Sequence, residues 1–102
     1  MATRQEQLQT ILEDLLGSKE VYYQPPNNVK MAYPAIRYTL NDIYTRKADD
    51  STYGKKREYQ IIMMDWLPDN EVIDKILELP YSSYERHYEA DNLNHDVISL
   101  YF

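Results

Sequence analysis

Leu8, Ile11, Leu12, Leu15 and Leu16 recur at helical spacing near the start of the chain and predict an amphipathic helix. Thr3 followed by Glu6 fits a capping box, and Gly17 stands where a left-handed residue ends a helix. So narrow an apolar stripe has to pack on something, most simply a sheet face. Glu20 to Gln24 then reads as a short strand, stopped by Pro25-Pro26-Asn27-Asn28, where proline removes ladder donors and asparagine favours turns. After Tyr33-Pro34 the residues alternate: Ala35, Arg37 and Thr39 against Ile36, Tyr38 and Leu40. This second strand is expected to bend near Asn41-Asp42 and continue through Ile43 to Lys47.

Ala48 to Gly54 is polar and reads as a turn, with strand resuming at Lys55. Within Tyr59 to Trp66, the run Ile61-Ile62-Met63-Met64 is apolar on both faces, which predicts a central strand covered above and below, or covered on one side by a neighbouring subunit. Residues 43–65 therefore form a long β-hairpin whose tip projects beyond the body. Pro68-Asp69-Asn70-Glu71 opens a second helix with a cap and acid in its first turn; Val72, Ile73, Ile76 and Leu77 form its buried face, and Pro80 ends it. Tyr81 to Tyr88 and Asp96 to Phe102 read as closing strands joined by a polar loop, Glu89 to His95. The expectation is an α+β fold in the order α-β-β-β-α-β-β: a twisted, antiparallel-rich sheet with two packed helices, in one domain over 1–102.

Composition adds constraints. The 102 residues are 43% apolar with only 2 Gly and 5 Pro, which argues against disorder or a fibrous repeat. With no Cys, the chain has no disulfide, thiolate nucleophile or thiolate metal ligand. Met1 to Gln5 leads into mixed polar and apolar residues rather than a signal core, and no run of ~18 apolar residues predicts a membrane span. The 11 tyrosines suit both strands and protein interfaces, and composition does not separate the two.

Charge is uneven. Residues 44–57 carry five bases (Arg46, Lys47, Lys55, Lys56, Arg57) against Asp49 and Asp50, a net of +3. The remaining six bases and fifteen acids leave −9, within an overall −6 that disfavours a dedicated nucleic-acid binder. A basic arm on an acidic body favours head-to-tail contact between identical copies. Tyr44, Arg46, Lys47, Tyr53, Lys55, Lys56 and Arg57 are the candidate interface residues. Bases interleaved with Tyr53 and Tyr59 also fit a single-strand nucleic-acid binder, and a solvated hairpin is the plain structural reading.

Catalytic chemistry finds little support, and the chain is read as no enzyme and as needing no cofactor. His87 and His95 lie near Asp91 and Asp96 across the last connection, so a zinc site is chemically sensible; hydrogen-bonding histidines in a turn are the plainer reading. Asp65, beside Trp66, is the best single acid–base candidate, although such a residue more often ends a strand and caps a turn. Ser18, Ser51, Ser82, Ser83 and Ser99 lack a Gly-x-Ser-x-Gly setting. With glycine only at positions 17 and 54, no Gly-rich phosphate loop forms.

The order of elements, together with several phrases, resembles the small tail-completion or tail-terminator proteins of long-tailed bacteriophages. The phrases are a leading helix ending Leu15-Leu16-Gly17, Val21-Tyr22-Tyr23-Gln24-Pro25-Pro26, Val29-Lys30-Met31 and Tyr33-Pro34-Ala35-Ile36. The extended hairpin, Pro68-Asp69 at the second helix, and Ala90-Asp91-Asn92-Leu93-Asn94-His95-Asp96 extend the likeness over nearly the whole chain. The resemblance implies a ring, usually a hexamer of identical subunits, that caps the tail tube protein and offers the surface joined by a head-completion or neck protein. It places the protein in the virion, and in the host cytoplasm during assembly, with DNA passing through the ring without specific binding and no membrane partner. A head-side neck ring or a tube-associated protein belongs to the same expectation, and a small nucleic-acid-binding accessory protein using hairpin 44–57 is the alternative.

Overall fold

The computed structural model describes residues 3–25, 30–48, 51–68 and 70–102, with the side chains of 44–48 and 51–56 left aside. Helix α1 spans Arg4–Leu16. The Thr3 side chain accepts from the Glu6 N–H at 3.2 Å. At the other end Gly17, at φ 81°, donates its N–H to the Glu13 carbonyl. Strands β1 (Val21–Tyr23), β2 (Ala35–Ala48) and β3 (Ser51–Asp65) follow, then α2 (Glu71–Leu77), β4 (Ser82–Ala90) and β5 (Leu93–Tyr101). The expected order and α+β class are what the structure has. Asn70 caps α2 by accepting the Val72 N–H at 2.8 Å.

The five strands form one open, mixed sheet in the order β1-β2-β3-β5-β4, with β1 parallel to β2 and every other pair antiparallel. Leu8 and Leu12 of α1 and Val72 and Ile76 of α2 share one core with Ile36, Tyr38, Tyr59, Ile61, Met63, Ile98 and Leu100. By the two-residue alternation of strands, those sheet residues face the helices. Ala35, Met64, Leu93, Val97 and Ser99, out of register with them, are buried as well. Strand β3 is thus covered on both faces at Met63 and Met64, as its apolar run predicts. Tyr22, Tyr38, Tyr59 and Tyr101 all lie in strands. Three tyrosines pack together: ring centroids are 4.9 Å apart for Tyr23–Tyr38 and 6.1 Å for Tyr38–Tyr59. The buried Tyr38 hydroxyl donates to Gln9 Oε1 at 2.6 Å, so a polar tip in the core has its partner on α1.

Two connections are tighter than expected. The segment Ala48 to Gly54 is not a broad turn, since β2 runs to Ala48 and β3 begins at Ser51. Nor is Glu89 to His95 a loop: β4 extends to Ala90 and β5 starts at Leu93. Asp91 and Asn92 make the turn between them at φ 53° and 64°. Asp and Asn tolerate the left-handed region, and two such residues in succession match the twist of a two-residue hairpin. The bend expected near Asn41-Asp42 is a register shift between Leu40 and Asp42.

Strand β1 pairs only with residues 36–38 of β2, and β5 pairs only with residues 58–65 of β3. Beyond those limits Ile43–Ala48 pair only with Ser51–Arg57, and only Arg57 at the root takes a further backbone bond, from the Phe102 N–H. The result is a two-stranded arm reaching about 20 Å past the body, at ~3.3 Å per residue. The molecule is accordingly long, 51 × 28 × 25 Å. No helix among the described residues is long and apolar enough to cross a membrane.

Candidate functional site

Six of the seven predicted interface residues are paired in the arm's ladder, with Arg57 at its root opposite Ile43, and the seventh, Tyr53, is not paired. Backbone pairing sets Tyr44 opposite Lys56, Thr45 opposite Lys55 and Arg46 opposite Gly54. A second register shift, between Arg46 and Lys47, leaves Tyr53 as the extra residue on β3. The side chains of Tyr44, Arg46, Lys47, Tyr53, Lys55 and Lys56 lie outside the described residues. Arg57 is half-buried, and its carbonyl accepts the Phe102 N–H at 3.0 Å. It lines an open cleft with Thr3, Arg4, Gln5, Tyr23 and Tyr59. Burial pushes the Tyr59 hydroxyl up from its ordinary pKa, opposed by the positive charges of Arg57 and Arg4.

Around that root the surface is apolar as well as charged. Ile43 is 43% exposed and Tyr101 39% exposed, and Tyr81 is also open to solvent. Tyr101 hydrogen-bonds the Glu58 carboxylate, which holds that acid below its usual range with help from the Asn41 side chain. The bond raises the pKa of Tyr101 in turn. Just past the other end of β3 stands a second exposed group, Trp66 and Leu67; the sequence pattern places Trp66 at a strand end and says nothing of Leu67. No local pattern distinguishes these two from core positions.

The proposed metal set divides. Asp96 is buried on the helix-facing side and accepts from the Tyr84 hydroxyl at 2.7 Å; His87 Nδ1 lies 2.9 Å from the same oxygen. His95 is on the opposite face, where it stacks on Tyr88 at 4.6 Å and its Nδ1 meets the Leu93 carbonyl at 3.1 Å. Asp91 is exposed in the hairpin turn. Among the described residues no three potential ligands gather. Tyr84 was missed as a partner of Asp96. The signal lies in a register shift between Tyr84 and Arg86, which turns Tyr84 and His87 to one face despite their odd spacing.

Asp65 has a structural task. Its carboxylate accepts the Leu67 N–H at 3.4 Å and the side-chain amide of Asn70, tying the end of β3 to the cap of α2. Ser82 Oγ donates to the Leu79 carbonyl at 2.7 Å, and the Ser51 side chain lies outside the described residues. Exposed apolar side chains thus stand near both ends of the body-paired part of β3, Ile43 and Tyr101 at one and Trp66 and Leu67 at the other. Neither a protein-family model nor a curated protein sequence matches the chain.

Proposed function

We propose that this chain is a structural assembly subunit that joins head-to-tail to its own copies through the arm, acting by contact rather than by chemistry. The observation that carries the reading is the two-stranded ribbon of residues 43–57. It extends past the sheet with the bases of a +3 segment on it, while the rest of the chain is −9. A ribbon of that length has no body of its own to lie on. An unlike-charged neighbour supplies one. Contacts between unlike patches on identical chains close into rings when the rotation between copies closes. The resemblance to phage tail-completion proteins makes that ring a cap on a tail tube and a joining surface for the head, in the virion.

Light scattering across a concentration series, followed by negative-stain microscopy, tests the proposal. Closed rings support it. A monomer at every concentration, together with a salt-sensitive mobility shift on single-stranded DNA, replaces it with nucleic-acid binding by the same bases.

A further inference from the structure

Resting on the assembly reading, we infer that the seat for the arm is the opposite end of the body, the turn Trp66-Leu67-Pro68 with its acidic surround, on a second copy of this chain. Trp66 is 55% exposed and Leu67 70% exposed, adjacent and at the far end of the strand that builds the arm. Exposed apolar pairs of this kind, rimmed by polar groups, mark contact surfaces.

The turn is held in place. The Trp66 ring meets Tyr33 edge-on at 5.4 Å, and its carbonyl accepts the Asn94 amide at 3.2 Å. The Leu67 N–H is anchored by Asp65. A surface fixed in this way loses little freedom on binding.

The rim is acidic. Register places Asp65 beside Asn94 and Asn94 beside Glu89, so the turn at Asp91 lies at the same end, and Glu71 opens α2 next to it. The arm brings a basic ribbon, with Ile43 and Tyr101 exposed at its root. Apolar meets apolar at the centre and basic meets acidic at the rim. The arm leads away from its own Trp66, because the arm is one end of β3 and Trp66 follows the other; only another copy brings the two surfaces together. The contact joins unlike patches, so each added copy leaves one arm and one seat open until a ring closes.

The chain has no Cys, so single cysteines report proximity cleanly. Chains carrying Lys55→Cys are mixed under mild oxidation with chains carrying Leu67→Cys, Glu78→Cys or Glu85→Cys, and mixed disulfide dimers are followed with time. Glu78 and Glu85 are exposed sites on α2's end and on β4. The proposal expects the Leu67→Cys partner to link ~10-fold or more faster than the other two, because docking raises the local concentration of the pair. The advantage should vanish when Asp65, Glu89 and Asp91 remain but Trp66→Ser removes the apolar centre. Equal rates for all three partners overturn both the seat and the assembly reading. Faster linking at Glu78→Cys or Glu85→Cys overturns the seat alone and leaves the arm as a contact element.

Discussion

His87 and Asp96 meet across the β4–β5 ladder, with Nδ1 2.9 Å from a carboxylate oxygen that also accepts the Tyr84 hydroxyl. In an unbroken strand, side chains three positions apart face opposite ways. The shift after Tyr84 turns both donors toward one buried acid. A buried carboxylate needs such partners, since an unmatched one costs several kcal/mol or takes up a proton. The group therefore anchors an edge strand that otherwise presents exposed residues along most of its length.

Asp96→Ala is expected to destabilise the fold by ~1.5–3 kcal/mol, the range for hydrogen bonds to a charged group. Tyr84→Phe, which leaves His87 on the acid, should cost less, about 0.5–1.5 kcal/mol. Urea melts of the two variants check the order. A larger loss for Tyr84→Phe would contradict the shared-acceptor account.

Leu12→Ala should cost ~2–5 kcal/mol, because Leu12 is fully buried between α1 and the sheet and its neighbours are themselves packed. Thr3→Ala, which removes the α1 cap, should cost ~0.5–2 kcal/mol. Denaturant midpoints for the pair separate core packing from end effects.

Two acids make stability depend on pH. Glu20 is held below the usual carboxylate range, first by the Tyr22 hydroxyl and then by the Ala32 N–H. Tyr101 and Asn41 act in the same direction on Glu58. In both cases the unfolded chain takes up the proton more readily. The stabilisation is therefore complete above the ordinary carboxylate value and fades as pH falls through it to the lower folded value. The double variant Glu20→Gln, Glu58→Gln should show a flatter fall in thermal midpoint between about pH 5 and pH 3 than the wild type. An unchanged slope would show that these bonds do not persist in solution.

Both helices were legible in the sequence because their signals are local: a five-residue apolar stripe between Thr3 and Gly17, and Val72, Ile73, Ile76 and Leu77 ahead of Pro80. The long hairpin was legible from two strand runs in sequence. Its tip and the turn at Asp91-Asn92 were read too loosely, since polar residues on an exposed ribbon look like loop until the ladder is known. The placement of β5 between β3 and β4 and the division of His87 from His95 depend on pairing between distant segments, as does the exposure of Trp66 and Leu67. No periodicity encodes those. The basic character of the hairpin is local and legible as charge over residues 44–57, whereas the neighbourhood of Trp66 and Leu67 combines residues of β3, α2 and the β4–β5 turn that are distant in sequence.

Whether the basic arm makes the contact between copies is decided by the variant Lys55→Glu, Lys56→Glu, Arg57→Glu. Circular dichroism reports the fold, while sedimentation velocity and ring counts report assembly. Like charges facing each other across an interface cost several kcal/mol. If the arm makes the contact, the variant is a folded monomer that forms no rings under conditions where the wild type does. Rings of wild-type number and stability from this variant would contradict it.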